Sequence, residues 1–434
     1  MKLNINKIDS ANIVVISTIS KDNIDKAFDK ISLQSSKSID VSGFRKGKVP
    51  ISVVKKMHGK KLLEDAKNEC LRDIFDESLK DLKVSNSNLA GEPSVSKFDE
   101  KDDGTIDIEL KIYVKPNISL GNYKELLPEV KNKKVLLKDI NDRLDTMALQ
   151  NAPLETIKTK REVKNKDYVL IDFEGFLNNV SFDGGKANNH SLEIGSGSFI
   201  TGFEDQVIGM EKGDQKDIKV TFPANYNSKE LASKDVIFKV KLNAIQKKSK
   251  VILNDDFAKK ILPQDKDASL DTLKDKIKED IKLQKLNEYY SKELKPLYLD
   301  TLVKKLDFSV PQSIVEQEIN IILNKKASSY SKDELDKFKQ NPSEIEKLRK
   351  ELNPEAINSV KATFIVDALA KSEDINVSDE EVSQVIFYEA MQTGQDPKEA
   401  LKNYKEKGYL SAIKMSMIEE KVMKKLLDEK QGKK

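Results

Sequence analysis

Regular secondary structure is predicted to be interrupted at Gly43-Phe44-Arg45-Lys46-Gly47-Lys48-Val49-Pro50. This stretch lies between two segments whose apolar spacing predicts helices. The two glycines and the proline exclude a regular element, because glycine loosens the backbone and proline removes a hydrogen-bond donor. Three cations and one phenylalanine lie inside the break. We therefore predict a basic tip held out by a helical hairpin, which suits an RNA-rich surface of phosphates and apolar notches. An ordinary solvated turn is the alternative, since short basic runs are weak motifs.

The segments around this tip predict a small α+β domain over residues 1–115. Its predicted elements are strands at 2–8 and 11–18, a helix at 22–33, a helix at 51–82 and a strand at 105–115. In the last strand Ile106, Ile108, Leu110, Ile112 and Val114 alternate with polar residues, which indicates one buried face. The order is therefore strands, helix, tip, helix, strands.

The eight residues of the tip resemble the ribosome-docking signature of bacterial trigger factors, chaperones that meet nascent chains at the exit tunnel. The order of the later segments resembles that family along essentially the whole chain. The resemblance implies contact with the large ribosomal subunit, both protein and rRNA, near the tunnel exit. The residues implied in this contact are Gly43, Phe44, Arg45, Lys46, Gly47 and Pro50. It further implies nascent unfolded polypeptides as partners, no membrane partner, and a homodimer as a state of the free protein.

Composition sets limits on the class of protein. With 434 residues, 34% of them charged and no Trp, the chain should hold two to four domains and be elongated rather than one large globule. The 76 Lys and Arg nearly balance the 73 Asp and Glu, so nucleic-acid contact must be local. Cys70 is the one cysteine, which excludes an internal disulfide and fits a reducing compartment. Without a signal peptide or an apolar run of ~20 residues, we predict a cytoplasmic protein.

Glycine placement divides the rest of the chain. Eight of the 17 glycines lie between Gly175 and Gly213, and none lies between Gly213 and Gly394. A turn-rich β module is therefore followed by a long helical region. We predict a multidomain α+β protein with a linker at 116–160, a β-sheet and helix module at 161–246, and an elongated all-α domain at 247–434.

The pattern within the β module predicts its elements. Strands are expected at 168–173, 217–222 and 236–242, with a short extended segment at 191–194. Asp183-Gly184-Gly185 predicts a turn, and Phe199–Ile208 predicts the module's helix. The glycines at 195, 197 and 202 do not have dinucleotide-binding spacing, and no βαβ unit surrounds them.

Five stretches of this module resemble FKBP-type prolyl isomerases, in the right order over roughly 80 residues. They are IDFEG at 171–175, FDGG at 182–185, IGSG at 194–197, FITGFED at 199–205 and TFP at 221–223. The resemblance implies a peptidyl-prolyl cis-trans isomerase whose aromatic pocket is lined by Phe173, Phe182, Phe199, Ile200, Phe203 and Phe238. Asp183 would lie at its polar edge, and Tyr226 would supply a hydroxyl donor.

The residue types alone leave an alternative open, because apolar residues in strands are usually packing. For Phe238 in particular, pocket and core remain equal alternatives. Phe203 stands where compact FKBPs usually carry tryptophan, which implies a roomier floor. His190 stands near a position that is often aromatic, which leaves the polarity of the pocket open.

The chemistry of such a pocket requires no nucleophile and no proton transfer. Isomerisation twists the C–N bond of an Xaa-Pro peptide against a barrier of ~18–20 kcal/mol. Twisting ends amide resonance and lowers charge separation, so a dry apolar pocket favours the twisted form. We predict no cofactor and no metal, because the chain has only His58 and His190, one cysteine and no metal-ligand spacing. It also lacks a Walker loop, so any chaperone action would run without ATP.

The region from Asn254 onward predicts about half a dozen helices. Pro311 suits a first helical turn, and Ser378 with Glu381 forms a capping box. Breaks are predicted at Pro354, Pro397 and Gly408. By resemblance this region is a cradle for unfolded chains, and Met415, Met417 and Met423 suit such a surface because methionine is flexible. Helix-on-helix packing is the alternative for each of these methionines.

The combined prediction is an ATP-independent, ribosome-associated chaperone with prolyl isomerase activity that assists folding and export. Two alternatives belong to other classes. One is a dedicated isomerase whose other domains only position it. The other is a ribosome-binding or RNA-binding assembly factor with a vestigial pocket.

Overall fold

The computed structural model describes residues 3–42, 44–45, 47–131, 133–224, 226, 228, 230–330 and 341–432. Two compact units contain them, one made of Met1–Lys131 with Glu288–Lys434 and the other of Asn132–Asn287. The domain boundaries expected near residues 115, 160 and 246 stay a prediction, because the first unit joins two segments that lie far apart in the sequence. None of the helices in the described ranges is long and apolar enough to cross a membrane.

The elements confirm a multidomain α+β protein with a helical C-terminal region. In chain order they are β1 Leu3–Lys7, β2 Asn12–Ile19, α1 Lys21–Ser38, α2 Ile51–Leu82, β3 Ser94–Glu100, β4 Ile106–Tyr113, α3 Leu137–Asn151, β5 Leu154–Thr156, β6 Tyr168–Leu177, β7 Val180–Glu193, α4 Phe203–Val207, β8 Gln215–Thr221, β9 Asp235–Lys248, α5 Asp255–Ile261, α6 Leu270–Tyr289, α7 Lys295–Lys305, α8 Gln312–Ala327, α9 Pro342–Ser372, α10 Asp379–Gln392, α11 Pro397–Glu406 and α12 Leu410–Lys430.

The first unit contains an antiparallel sheet with the strand order β1-β2-β4-β3. The face formed by the alternating isoleucines of β4 is buried against α1 and α2, where it meets Ala66, Cys70 and Ile74. The predicted strand therefore buries the side that its pattern indicated. Cys70 lies in this core with 1% of its surface exposed, and burial raises the pKa of its thiol.

The helices α1 and α2 form the predicted hairpin. Ser20 caps the start of α1 by accepting a hydrogen bond from the backbone N–H of Asn23. The second helix begins after Pro50 and ends at Leu82, as the sequence predicted, with Lys83 in the left-handed conformation.

The edge strand β3 was not predicted. All of its side chains are exposed, so its sequence lacks the alternation that marks a half-buried strand. Backbone hydrogen bonds to β4 hold it in the sheet, with a bulge between Val95 and Lys97.

In the C-terminal helices of the first unit, the break expected at Pro354 is wrong, because Pro354 lies inside α9. An interior proline costs ~3 kcal/mol in a helix. Here Leu352 and Ala356 on either side of it are buried, and α9 packs against Val315 and Ile319 of α8. This packing outweighs the loss of one helical hydrogen bond.

Other sequence signals in these helices are confirmed. Pro311 precedes α8, Ser378 and Glu381 form the capping box of α10, and α11 begins at Pro397. Met423 is buried, and Met417 packs against a helical core cluster, so these two methionines serve helix packing.

The second unit contains a sheet in the order β5-β9-β6-β7, in which β8 also pairs with β9. The short helix α4 packs on one face of this sheet through Phe203 and Val207. A separate apolar cluster joins α3 to α5 and α6 through Ile140, Leu144 and Phe257.

Two local predictions in this unit are wrong. Asp183-Gly184-Gly185 is not a chain reversal, because β7 runs through it, and the turn lies at Asn178 and Asn179. Both asparagines have positive φ, as a tight two-residue hairpin requires. The helix expected over Phe199–Ile208 is limited to Phe203–Val207, because Gly202 with φ +85° ends the preceding turn.

Candidate functional site

An open cavity of about 520 Å³ lies over the sheet of the second unit. It is lined by Phe173, Phe182, Asp183, Gly184, Ser198, Phe199, Ile200, Thr201, Phe222, Pro223, Tyr226, Ser228, Leu231 and Phe238. Seven of the eight predicted site residues in this module therefore line one cavity. The eighth, Phe203, lies beneath it with none of its surface exposed.

The floor of the cavity is a cluster of phenylalanine rings, most of which meet edge to face, while Phe199 and Phe203 are tilted to each other. Phe173 lies 5.4 Å from Phe199, 5.8 Å from Phe238 and 6.4 Å from Phe203, measured between ring centroids. Phe203 also lies 4.6 Å from Phe199 and 5.5 Å from Phe238. Because Phe203 contacts three rings of the cavity wall, it supports them from below. Phe238 is 3% exposed and lines the cavity, so it is both core and wall.

A bulge in β7 places Phe182 and Asp183 at the cavity. Glu174 pairs with Lys186 and Phe176 pairs with Ser181, so residues 182–185 all lie opposite Gly175. A Cβ at Gly175 would lie 2.5 Å from the Phe182 ring and 2.7 Å from the Phe238 ring. The glycine therefore lets two aromatic rings rest directly on the strand backbone.

The loop from Gly195 to Gly202 forms one wall of the cavity and carries Phe199 and Ile200. The buried carboxylate of Glu204, the second residue of α4, lies against this loop. Burial acts to raise the pKa of Glu204, but backbone N–H groups of the loop outweigh burial. Its pKa therefore lies below the usual range, and the group is ionised near neutral pH.

The polar residues of the cavity lie at its mouth. Asp183 is exposed, and Tyr226 is 42% exposed with its ring 4.5 Å from that of Phe222. His190 is also exposed, and its ring lies 5.7 Å from Phe173 and 5.4 Å from Phe199. A polar ring thus stands beside the aromatic wall without lining the cavity itself.

Three apolar residues of the wall, Phe222, Pro223 and Leu231, were not predicted as site residues. The signal for Phe222 was present, because Ile218, Val220 and Phe222 alternate and are all buried. Leu231 belongs to a segment without regular structure, so no periodicity could identify it.

The arrangement can hold a small apolar group against aromatic rings while a polar chain remains outside. The described cavity residues include no nucleophile paired with a base, and no cluster suited to a metal ion occurs among the described residues. The chemistry available is therefore binding and exclusion of water.

The tip of the hairpin is a second candidate site. Phe44 is 40% exposed and Arg45 is exposed, while Gly47 has φ +81°. Gly43 and Lys46 lie outside the described residues. The tip is fixed at its base, because Val41 and Val49 on either side of it are buried with Val54 and Leu62 of α2. An aromatic ring and a guanidinium are thus presented to solvent on an ordered base.

Three family models match the chain in succession. Two are described as bacterial trigger factor protein, over residues 1–147, and as its C-terminus, over 269–428. The third is the FKBP-type peptidyl-prolyl cis-trans isomerase, over residues 159–243.

Similar proteins are known from several bacteria. The trigger factor of Aliarcobacter butzleri is 52% identical over 433 residues, covering 100% of both chains. That of Sulfurovum sp. is 48% identical and covers 98% of this chain and 100% of its own. A solved structure described as "Promiscuous Substrate Recognition in Folding and Assembly Activities of the Trigger Factor Chaperone" has a TM-score of 0.59 at 21% identity. It covers 99% of this chain and 100% of its own, and it supports the overall fold.

Proposed function

Because the chain belongs to the trigger factor family, we propose that it is a ribosome-associated chaperone that also isomerises Xaa-Pro bonds in nascent chains. The observation that carries the isomerase is the aromatic cavity, whose apolar wall has room for a prolyl side chain. Phe173, Phe182, Phe199, Ile200, Phe203 and Phe238 form or support its wall, with Asp183 and Tyr226 at the mouth. The same proposal has three further parts. The protein acts without ATP, it resides in the cytoplasm, and it forms a homodimer when it is not bound to the ribosome.

The mechanism follows from the cavity. Rings of the wall surround the proline and exclude water, so the planar amide with its separated charges loses hydration. The twisted amide is less polar, so it loses less hydration than the planar amide does. The barrier to isomerisation is therefore lower in the cavity. In this proposal the Tyr226 hydroxyl donates a hydrogen bond to the substrate carbonyl, while the rest of the peptide stays in solvent.

The chaperone part of the proposal draws on exposed apolar residues of the helical region. Val385, Tyr388 and Met391 follow each other at three-residue spacing on α10 and are 44%, 67% and 72% exposed. Helical residues at this spacing share one face, so they form a stripe open to solvent. Such a stripe suits weak contact with many unfolded segments.

The isomerase is tested by refolding a client whose slow step is proline isomerisation, which takes tens to hundreds of seconds uncatalysed. The intact protein is expected to accelerate it, and Phe199→Ala is expected to lower kcat/KM about 10- to 100-fold, because a half-buried ring of the wall is lost. Phe176→Ala is the matched control, since Phe176 is also half-buried but lies on β6, outside this cavity. No acceleration by the wild type would favour the assembly-factor alternative.

Ribosome docking is tested by co-sedimentation with bacterial ribosomes. Changing Phe44, Arg45 and Lys46 together to Ala is expected to abolish binding, and wild-type binding is expected to weaken as salt rises. The control changes Phe98, Lys97 and Lys111 to Ala, because Phe98 is 40% exposed like Phe44 but lies in β3. Equal binding by both triple variants would mean that the tip is an ordinary turn.

A deletion of residues 160–246 distinguishes our proposal from the alternative of a dedicated isomerase. If the other domains only position the isomerase, the deletion removes every effect on folding. Under our proposal the deleted protein still suppresses aggregation of an unfolded client.

A further inference from the structure

The cavity wall between Gly195 and Gly202 is a loop made of turns and bends, with no helix or strand in it. Gly195, Gly197 and Gly202 have φ values of +88°, +69° and +85°, so the loop uses backbone conformations that glycine permits. Ser198, Phe199, Ile200 and Thr201 of this loop all line the cavity. Since glycines also make an unrestrained loop flexible, something outside the loop must fix its shape.

A single carboxylate accepts hydrogen bonds from several polar groups of this loop. Glu204 Oε2 accepts hydrogen bonds from the N–H of Gly195 at 2.7 Å and of Gly197 at 3.2 Å. Glu204 Oε1 accepts from the N–H of Phe199 and from the hydroxyl of Ser196, both at 3.2 Å. Four donors within five residues thus converge on one side chain.

The carboxylate is 7% exposed, and the hydrogen bonds found for it within the described chain come from the loop's own N–H and O–H groups. A buried anion is costly unless hydrogen bonds replace its hydration. The ionised group and the loop therefore stabilise each other, and the loop gains a defined shape only while the carboxylate is present.

We propose that Glu204 is a positioning residue that holds Phe199 and its loop in the conformation required for binding proline. This inference rests on the proposed isomerase function. Glu204 does not contact the cavity, so it acts through the N–H of Phe199 and through its neighbours.

Glu204→Gln tests the proposal with little change of shape. An amide has one acceptor oxygen, and its NH₂ group can only donate. If the oxygen faces Gly195 and Gly197, the NH₂ group can donate to the Ser196 hydroxyl but opposes the N–H of Phe199. In the reverse orientation it opposes two N–H groups, so the first orientation is preferred. The substitution therefore releases Phe199 in particular.

The kinetic expectation is a split between KM and kcat. A released loop must be ordered again whenever proline binds, in the ground state and the transition state alike, which raises KM without changing kcat. We expect Glu204→Gln to raise KM for a short proline peptide about tenfold with kcat within about twofold. A merely structural role would instead lower the folded fraction and reduce apparent kcat at unchanged KM.

Amide hydrogen exchange of the intact protein provides a readout that does not depend on catalysis. In Glu204→Gln the amides of Gly195, Gly197 and Phe199 are expected to exchange faster, with Phe199 changed most, while β6 and β9 keep their protection. Glu211→Gln is the matched control in the same module, since the ion pair of Glu211 within the described part of the chain is with the exposed Lys160, at 2.9 Å.

The outcomes separate this inference from the function on which it rests. Unchanged KM, or unchanged exchange at Phe199, would overturn the positioning role. A wild-type protein without isomerase activity would refute the proposed function, and faster exchange at Phe199 would then still support Glu204 as the residue that orders the loop.

Discussion

Replacing Glu373 by glutamine is expected to lower the free energy of unfolding of the first unit by about 3 kcal/mol. The Glu373 side chain is only 5% exposed, and it pairs with Lys124 at 2.8 Å and Lys425 at 2.7 Å. The Tyr123 hydroxyl donates a third hydrogen bond, at 2.7 Å. Glutamine keeps the shape but removes the charge from a buried group that two cations face. The side chains of the two lysines are 51% and 40% exposed, so water can hydrate them, and we expect the lower end of the 3–5 kcal/mol range.

The pH dependence of this effect follows from the pKa of Glu373. Burial alone would raise that pKa, but Lys124, Lys425 and Tyr123 outweigh burial and hold it at about 2. In the unfolded chain a glutamate has a pKa of ~4.3. Because the folded pKa is depressed, the stabilisation is fully present above the unfolded pKa and is lost as pH falls towards 2. The difference between wild type and variant should therefore be about half as large at pH 3 as at pH 7.

Urea unfolding followed by far-ultraviolet circular dichroism measures this difference, since most helices of the protein belong to this unit. Glu429→Gln is the matched control. Glu429 pairs with the same Lys124 at 3.0 Å, but it is 42% exposed, so its loss should cost less than ~1 kcal/mol. Equal losses for the two variants, or a difference that does not shrink at pH 3, would contradict the assigned role of Glu373.

Local periodicity explains which parts of the fold could be predicted. The helix α2 and the strand β4 were predicted closely because each has one apolar face, and burial of that face decides its conformation. The tip was predicted for the opposite reason, since its glycines and proline cannot continue either helix. The eight predicted site residues of this module were named only through resemblance, because an apolar residue in a strand does not reveal whether it faces core or cavity.

The remaining features depend on contacts that no local pattern contains. Tyr123 and Glu373 are separated by 250 positions, so their hydrogen bond could not be predicted from either segment. The chain reversal beside β7 uses Asn178 and Asn179, while the glycines at 184 and 185 serve a bulge, and both pairs have the composition of a turn. Pro354 marks a break by local rules, and packing of its neighbours overrides it.

Phe203→Ala is expected to lower the free energy of unfolding of the second unit by about 3–5 kcal/mol. The Phe203 ring is fully buried and contacts three other rings, Phe173, Phe199 and Phe238, so its removal leaves a void that rigid neighbours fill poorly. Rings that line the cavity would then be free to tilt into the void, away from the cavity wall. Isomerase activity should therefore fall more than the loss of folded protein explains.

Phe203→Leu separates the two effects, because leucine refills much of the volume and should cost only about 1–2 kcal/mol. Both variants are compared with wild type by urea unfolding, and kcat/KM is measured where each remains fully folded. Leucine lacks the flat ring that meets Phe199 at 4.6 Å, so activity should fall in Phe203→Leu even though stability is largely kept. If activity instead follows the folded fraction in both variants, Phe203 is only a core residue, and the cavity wall does not depend on support from below.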